Sequence, residues 1–251
     1  MVNFSLTFKS KSQIADGTWA FHFERPSDFI YEAGQYVALV LPRLVAPDKR
    51  GPVRSLSLSS APCEEELLFA MRVTESGFKQ TLMTLEPGET VQATKPIGHF
   101  TLAHAGDDKR IVLLVGGIGV TPVRSILVQA ARDGVERPFS IFYSNRMRKD
   151  AAFDAELREI SLSNYQYITT FSQETLPCAG TNEERGYICV DMLRKYLSAD
   201  EIGESWYYFV GAPVFIEAME MMLREMGIAK ERCVNDPFTG MTSASQVVAG
   251  K

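Results

Sequence analysis

The hydrophobic pattern of this chain changes once, close to residue 104, and that change limits the fold more than any single motif. Before it, apolar and polar residues alternate in short runs separated by Gly and Pro, as in half-buried strands. Many short strands joined by turns favour an antiparallel barrel, which leaves few exposed edges. The expected strands are residues 4–8, 19–23, 35–41, 53–58, 67–73 and 90–94, and one helix is expected at 78–85.

After residue 110, nearly continuous apolar runs alternate with amphipathic stretches, which is typical of a parallel sheet covered by helices. The polar stretch 104–109 lacks periodicity, so we predict two domains, 1–104 and 105–251. The predicted fold is an N-terminal antiparallel β-barrel followed by a C-terminal α/β parallel-sheet nucleotide-binding domain. Its expected strands are 111–115, 139–143, 166–171, 206–210 and 233–234, and its expected helices are 122–132, 151–160, 190–196 and 213–226.

Composition excludes several classes of protein. The 251 residues are 45% hydrophobic, which is enough for two modest cores, and the formal net charge of -5 disfavours bulk binding to nucleic acid or to an anionic membrane. The four cysteines have no C-x-x-C spacing, so we expect no metal site or chain-borne iron–sulfur cluster. Neither a signal peptide nor a membrane span is visible, and we expect a cytoplasmic protein.

A glycine-rich loop follows the first apolar run of the second domain: Gly116-Gly117-Ile118-Gly119-Val120-Thr121-Pro122. It follows a buried strand and precedes a helix, with Thr121 expected as the N-cap and Pro122 as the first helical residue. Backbone amides of such a loop can approach a pyrophosphate at the helix start. The sequence departs from G-x-G-x-x-G, and a tight strand-to-helix turn without a ligand is the alternative.

A second loop, in the barrel, combines an arginine with alternating serines: Arg54-Ser55-Leu56-Ser57-Leu58-Ser59-Ser60. Arg54 can form a two-pronged hydrogen bond to a phosphate, and the hydroxyl groups could meet a flat polar ring. The alternative is a strand that merely faces solvent. The helix expected from residue 78 favours the first interpretation, because Gly77, Lys79, Gln80 and Thr81 at its start would form an anion-binding end in the same barrel.

With these two loops in this order, the chain resembles the ferredoxin–NADP reductase-like flavoproteins, which carry R-x-Y-S-x-x-S in the barrel and G-G-x-G-x-T-P in the second domain. The resemblance covers nearly the whole chain. Other similar segments are 34–37, 77–82, 96–100, 143–146, 209–213 and 236–240. The resemblance implies FAD in the barrel and NAD(P)H in the second domain, with the nicotinamide passing a hydride to the flavin.

The resemblance also implies roles for individual residues. Ser57 is the catalytic residue, placed beside the reactive ring nitrogen of the flavin, and Arg54 holds the flavin pyrophosphate. Gly116, Gly117, Gly119 and Thr121 bind the nicotinamide dinucleotide. The remaining cofactor-binding residues are Ser55, Leu56, Met71, Arg72, Val73, Gly77, Lys79, Gln80, Thr81, Ser144, Asn145, Arg146, Gly211 and Phe238. No metal ligands are expected.

Three departures limit what the resemblance implies. Leu56 replaces the tyrosine that stacks on the flavin ring, so an aliphatic contact or another aromatic residue must serve there. Val210 replaces a cysteine found in many relatives, and Gln173 stands where NADP-preferring relatives often have arginine. Arg146 and its basic neighbours favour a 2′-phosphate, so NADPH is favoured slightly over NADH.

The sequence shows no iron–sulfur cysteines and no haem motif, so we expect the electron acceptor to be a separate molecule. The leading candidate is a small carrier protein such as ferredoxin or flavodoxin. The alternatives are a diffusible acceptor, either free flavin or a quinone, and a role as the flavin-binding electron-input or regulatory subunit of a larger complex.

Overall fold

The N-terminal half forms an antiparallel barrel. The computed structural model describes residues 4–106 and 108–237. The strands lie side by side in the order β4-β3-β6-β1-β2-β5. The N–H of Ser59 donates to the carbonyl of Leu68, at 2.8 Å, and thereby joins the two edges of this sheet. The strands are β1 (Phe4–Ala15), β2 (Thr18–Glu24), β3 (Tyr36–Val40), β4 (Val53–Ser57), β5 (Glu66–Arg72) and β6 (Thr90–Ala93), and helix α1 (Gly77–Met83) lies between β5 and β6.

Period-two patterning explains why these segments form the barrel. In β2, for example, Phe21 and Phe23 are fully buried, whereas His22 between them is partly exposed. The rings of Phe8, Phe23 and Phe69 pack edge to face in the barrel core, with centroids 5.4 and 5.7 Å apart. All six predicted strands and the predicted helix are present, and β1 continues seven residues beyond its predicted end at Phe8 to Ala15.

The second half is a parallel sheet with helices on both faces. Its strand order is β10-β9-β8-β7-β11-β12, and every neighbouring pair is parallel. The two-domain fold class predicted from the sequence is therefore confirmed. The strands are β7 (Ile111–Gly116), β8 (Phe139–Asn145), β9 (Tyr165–Phe171), β10 (Glu183–Arg185), β11 (Trp206–Gly211) and β12 (Cys233–Pro237). The helices are α2 (Val120–Arg132), α3 (Asp154–Arg158), α4 (Val190–Tyr196), α5 (Ala199–Glu204) and α6 (Pro213–Glu225).

Three local features differ from the prediction. Strand β10 and helix α5 were not predicted, and the helix predicted at 151–160 is confined to Asp154–Arg158. The backbone of Phe153 is left-handed, with φ of 59°, so helical geometry cannot continue through that residue. The predicted domain boundary at residue 104 stays a prediction. Tyr208, in β11, donates a hydrogen bond to the carbonyl of Thr101 and ties that connecting region to the parallel sheet.

Strand order also locates a crevice. The chain runs from β7 outward to β8 on one side of the sheet, and it later returns to place β11 on the other side of β7. Ligands of open α/β sheets bind at such a reversal, beyond the carboxyl ends of the strands. Here β7 ends at Gly116, where the glycine-rich loop begins, and β11 ends at Gly211.

Candidate functional site

Strand β4 presents the predicted serine motif beside β3. Ser57 lies directly opposite Tyr36, and Leu56 lies opposite Val37. Ser57 is buried, Ser55 is exposed, and Leu56 is half-buried against the barrel core. The strand ends at Ser57, so Ser60 does not continue the alternation. The hydroxyl group of Ser60 instead accepts hydrogen bonds from the N–H of Leu68 and from Tyr31, inside the barrel.

Two residues that were not predicted as site residues are Tyr36, which lies opposite Ser57, and Asp236, whose charge acts on Tyr36. Directly opposite residues of an antiparallel pair share one face, so the Tyr36 ring stands on the same face as Ser57. Burial raises the pKa of the Asp236 carboxyl, and burial together with the charge of Asp236 raises the pKa of Tyr36. Asp236 therefore lies near Tyr36. Both belong to segments that carry the family resemblance, 34–37 and 236–240, and that resemblance could have indicated them as site residues.

Four basic residues gather next to the motif. Burial lowers the pKa of Lys79, and the charges of Arg50, Arg54 and Arg72 lower it further. Lys79 donates to the carbonyl of Arg72 at 2.6 Å. Asp48 pairs with Arg54 inside this group. Positive charges this close to one another repel, and a bound anion would reduce that repulsion. The predicted residues Lys79, Arg54 and Arg72 are thus brought together, whereas Arg50 was not predicted.

Other predicted residues of the barrel are internally bonded. The Thr81 hydroxyl donates to the carbonyl of Gly77 at 2.7 Å and accepts from the N–H of Val45 at 3.0 Å. Met71 is buried in the barrel core, and the N–H of Val73 donates to the carbonyl of Gly17. Gln80 lies on α1. Direct contact of these residues with a cofactor stays a prediction, and Phe238 lies outside the described residues.

The glycine-rich loop is held by close packing. A Cβ atom at Gly119 would lie 2.6 Å from the carbonyl oxygen of Val210. At Gly116 and Gly211 it would lie 2.8 and 2.9 Å from the ring of Phe215. These three glycines therefore bring the two loops at the crevice together. Gly117 differs, because it has φ of +52° and nothing within 4 Å of its Cβ position, so a ligand can approach the backbone there.

Helix α2 begins earlier than predicted. A 3-10 turn at Gly117–Gly119 leads directly into the helix at Val120, and Gly119 is the N-cap residue. The prediction that Thr121 is the N-cap, with Pro122 first in the helix, is therefore wrong. The Thr121 hydroxyl donates to the carbonyl of Ile118, at 3.0 Å, because the 3-10 turn brings that carbonyl within reach.

The end of β8 carries the remaining predicted residues. Ser144 is half-buried, Asn145 is buried, and Arg146 is exposed. Within residues 4–106 and 108–237, the side-chain amide nitrogen of Asn145 has no hydrogen-bond partner although it is buried. Arg148 is bound instead by Glu183, by the carbonyl of Pro177 and by Glu174, so its charge is already matched.

The two halves of the site are joined next to both motifs. Arg124, five residues after Gly119, donates to the carbonyl of Ser59 at 2.8 Å, and Ser59 is two residues after Ser57. Ser125 donates to the carbonyl of Ser60 at 2.6 Å. The serine strand of the barrel and the glycine-rich loop therefore face the same crevice.

The residues present fit the cofactors that the family implies. The cluster of Arg50, Arg72 and Lys79 has the charge that a flavin pyrophosphate requires. Gly117 and the buried amide of Asn145 offer a dinucleotide an open backbone and an unsatisfied donor at the sheet crevice. Among the described residues, no group of His, Cys, Asp and Glu could hold a metal ion. In the same part of the chain, no helix is long and apolar enough to span a membrane.

Comparisons with known proteins agree with this arrangement. The sequence profile of a family described as oxidoreductase NAD-binding domain matches residues 113–221. The chain is 33% identical over 172 residues to ferredoxin–NADP reductase B of Sorangium cellulosum (strain So ce56), which covers 66% of this chain and 67% of that protein. It is 27% identical over 222 residues to the reductase component of propane 2-monooxygenase from Mycolicibacterium goodii, covering 85% of this chain and 61% of that protein.

A solved structure shows the same fold. A ferredoxin NADP+ reductase from Neisseria gonorrhoeae, with bound FAD and NADP, superimposes with a TM-score of 0.78 and 16% identity, covering 94% of this chain and 98% of that chain. Several curated relatives are longer than this chain. It spans between 54% and 61% of the length of four of them, three of which are flavohemoproteins.

Proposed function

Because this chain belongs to the ferredoxin–NADP reductase-like family of FAD- and NAD(P)H-dependent oxidoreductases, we propose that it passes electrons from NAD(P)H to a small carrier protein such as ferredoxin or flavodoxin. The relative from Sorangium cellulosum is a ferredoxin–NADP reductase, which supports a carrier protein as the acceptor. The two cofactors, when bound, would supply the redox chemistry, which is transfer of a hydride from the nicotinamide to the flavin. The protein contributes binding and orientation.

One observation carries the proposal. The hydrogen bonds from Arg124 and Ser125 to the carbonyls of Ser59 and Ser60 hold the serine strand against the helix that follows the glycine-rich loop. Hydride transfer requires the two ring systems to meet face to face at short range. A site divided between two domains meets that requirement only when the domains are fixed to each other at the site itself. These bonds provide that attachment within six residues of each motif.

Individual residues take the following parts. Ser57 would lie beside the flavin ring and donate a hydrogen bond to it, and Tyr36 would supply the aromatic contact that Leu56 does not. Gly117 would accept the dinucleotide against its backbone. Asn145, whose amide is buried, and Arg146, which is exposed, would bind its adenosine end.

We propose NADPH as the donor, on the exposed position of Arg146 at the end of β8. A guanidinium group binds a 2′-phosphate in two-pronged fashion, and a free ribose hydroxyl gains much less from it. Arg148 does not serve, because Glu174 and Glu183 already neutralise it. The preference therefore depends on one arginine.

The acceptor has two further candidates, both supported by names of relatives. One relative is the F subunit of a Na+-translocating NADH-quinone reductase, and another is a monooxygenase reductase component. The first favours a quinone or another diffusible acceptor, and both favour an electron-input subunit of a larger complex.

We place the protein in the cytoplasm, because Cys63, Cys178 and Cys189 are exposed free thiols, which suit a reducing compartment.

The experiment that tests the function begins with colour. The purified protein should be yellow and should release FAD when denatured, and anaerobic NADPH should bleach it. A colourless protein that cannot be reconstituted with FAD would refute the proposal. The bleached protein is then mixed separately with ferredoxin, flavodoxin, free FMN and a quinone. Reoxidation by only the small molecules would replace the carrier-protein acceptor with a diffusible one, and bleaching by neither NADPH nor NADH would favour the subunit role.

A further inference from the structure

The carboxylate of Asp48 lies at the centre of the basic cluster. Asp48 belongs to the turn between β3 and β4, and its side chain is only 5% exposed. One oxygen accepts from the Ser76 hydroxyl and from the N–H of Phe78, at 3.0 Å. The other accepts from the N–H of Arg50, at 2.9 Å, and from the guanidinium of Arg54. These hydrogen bonds, led by that of Ser76, hold the pKa of Asp48 well below its usual range, so the group is ionised.

Arg54 directs its hydrogen bonds into the same turn. Its Nη1 donates to the carbonyls of Arg50, Gly51 and Val53, at 3.0, 3.0 and 2.7 Å, while Nη2 binds Asp48. The side chain is 7% exposed, and its guanidinium stacks 5.2 Å from the centre of the Phe78 ring. Both terminal nitrogens therefore hold the turn. The three carbonyls occupy Nη1, and Asp48 takes one of the two N–H groups of Nη2.

The other cations of the cluster are differently placed. Arg72 is 50% exposed and lies 3.5 Å from Asp150. Arg50 and Lys79 are each close enough to Arg54 for their positive charges to repel. Arg50 is carried by the turn that Asp48 organises, and Lys79 follows Phe78 directly. Asp48 therefore sets the positions of two cations from two separate segments at once.

We propose that Asp48 is a positioning residue for the flavin phosphates: with Arg54 it fixes the 48–54 turn against Ser76 and Phe78, so that Arg50, Arg72 and Lys79 make the phosphate contacts. This inference rests on the proposed flavin-binding function. It gives Arg54 a part in holding the turn, in addition to the phosphate contact that the sequence motif predicts. A buried guanidinium that has lost its carboxylate partner is costly, so the turn should not keep its shape without Asp48.

The test compares flavins with different phosphate groups: riboflavin has none, FMN has one, and FAD has a pyrophosphate joined to adenosine. Deflavinated full-length protein, wild type and Asp48→Asn, is titrated with FAD, FMN and riboflavin. We expect Asp48→Asn to weaken FAD binding roughly tenfold, as loss of one charge-assisted network would, while riboflavin binding changes less than about twofold. Asp48→Glu should restore part of the FAD affinity. Glu66→Gln, which removes a carboxylate paired with Lys9 and His22 on the barrel surface, is the matched control and should change neither.

Several outcomes would overturn the inference. Unchanged or tighter FAD binding by Asp48→Asn would mean that the carboxylate does not position the cations, or that it competes with the phosphates. Equal loss of riboflavin would mean a general structural role. If Asp48→Asn does not fold, Lys79→Met and Arg72→Met test the same assignment, and retention of full FAD affinity by both would refute it. A wild-type protein that binds none of the three flavins would refute the proposed function itself.

Discussion

Arg124 of helix α2 and Glu64 of the barrel form a two-pronged ion pair across the domain interface, with Nη1 2.8 Å from Oε2 and Nη2 2.9 Å from Oε1. The arginine is 8% exposed and also pairs with Glu156. Its remaining hydrogen bond reaches the carbonyl of Ser59, beside the serine motif. One side chain thus links the nucleotide-binding domain to the strand that carries Ser57, and domain attachment and site geometry depend on the same residue.

Replacing this arginine should lower stability and slow turnover together. We expect Arg124→Met to reduce the free energy of unfolding by about 2 to 3 kcal/mol, below the full value for a buried pair because Glu64 is partly exposed. Urea unfolding measures this. The matched control is Arg194→Met, whose pairing with Asp191 is solvent-exposed and worth about 0.5 kcal/mol or less. Equal stability losses in the two variants would contradict the interface role.

The same ion pair predicts a pH dependence. Burial raises the pKa of Glu64, but the hydrogen bonds and charge of Arg124 outweigh that effect, so the pKa is lowered overall. A carboxyl whose pKa is lower in the folded state contributes stability that is full above its unfolded pKa, near 4.3, and is lost as pH falls through the folded value. The stability gap between wild type and Glu64→Gln should therefore be constant near neutral pH and shrink below about pH 4. Urea titrations across that range measure the gap, and a gap that widens in acid would contradict the assignment.

Gly117 and Gly134 form a natural pair for testing the nucleotide loop. Both have positive φ, +52° and +65°, and neither has an atom within 4 Å of its Cβ position. Substitution by alanine should therefore lower the free energy of unfolding by a similar amount at the two positions, about 1 kcal/mol, because of backbone strain. Only Gly117→Ala should also weaken nucleotide binding, roughly tenfold in KM for NADPH, because the added methyl group covers the approach to the backbone. Similar KM values for the two variants would show that the dinucleotide does not approach Gly117.

The fold was predictable because local patterning and tertiary burial agree in most elements. Alternation marks the barrel strands, and continuous apolar runs mark β7, β8 and β11, which are buried on both faces. Strand β10, with sequence Glu-Glu-Arg, has no apolar signal, because its Glu183 is buried by pairing with Arg148 and Arg185. Such a strand depends on ion pairs from distant segments, which periodicity does not report.

The sequence names candidate site residues, but it does not show what holds their side chains in place. The glycines at 116, 119 and 211 were predicted for a ligand, yet each is required by contact with Phe215 or Val210, and for Gly116 and Gly119 these partners lie about 90 or more residues further along the chain. Arg54 was predicted to bind phosphate, but Asp48 and three carbonyls determine where its donors point. A motif fixes which side chains are available. Their directions follow from neighbours that only the folded chain brings together.

Arg146 should decide nucleotide preference. Arg146→Ala is expected to raise KM for NADPH about tenfold, the effect of losing one charge-assisted phosphate contact, and to leave KM for NADH nearly unchanged. The measurement is steady-state reduction of a generic one-electron acceptor with each nucleotide. Arg194→Ala, an exposed arginine on α4, controls for loss of general surface charge. An equal rise for both nucleotides would remove Arg146 from the 2′-phosphate site, and a wild type that prefers NADH would refute the proposed donor.

Ser57 should affect the rate of flavin reduction more than the amount of flavin bound. The phosphate cluster lies on other residues, Arg50, Arg72 and Lys79, so Ser57→Ala should retain nearly full FAD content. Loss of one hydrogen bond to the flavin ring is worth about 1 kcal/mol, so anaerobic reduction by saturating NADPH should slow about fivefold in stopped-flow measurements. Ser57→Thr keeps a hydroxyl group and should recover much of the rate. If the flavin of Ser57→Ala is reduced as fast as that of wild type, the hydroxyl does not contact the reacting ring, and the role proposed for Ser57 is refuted.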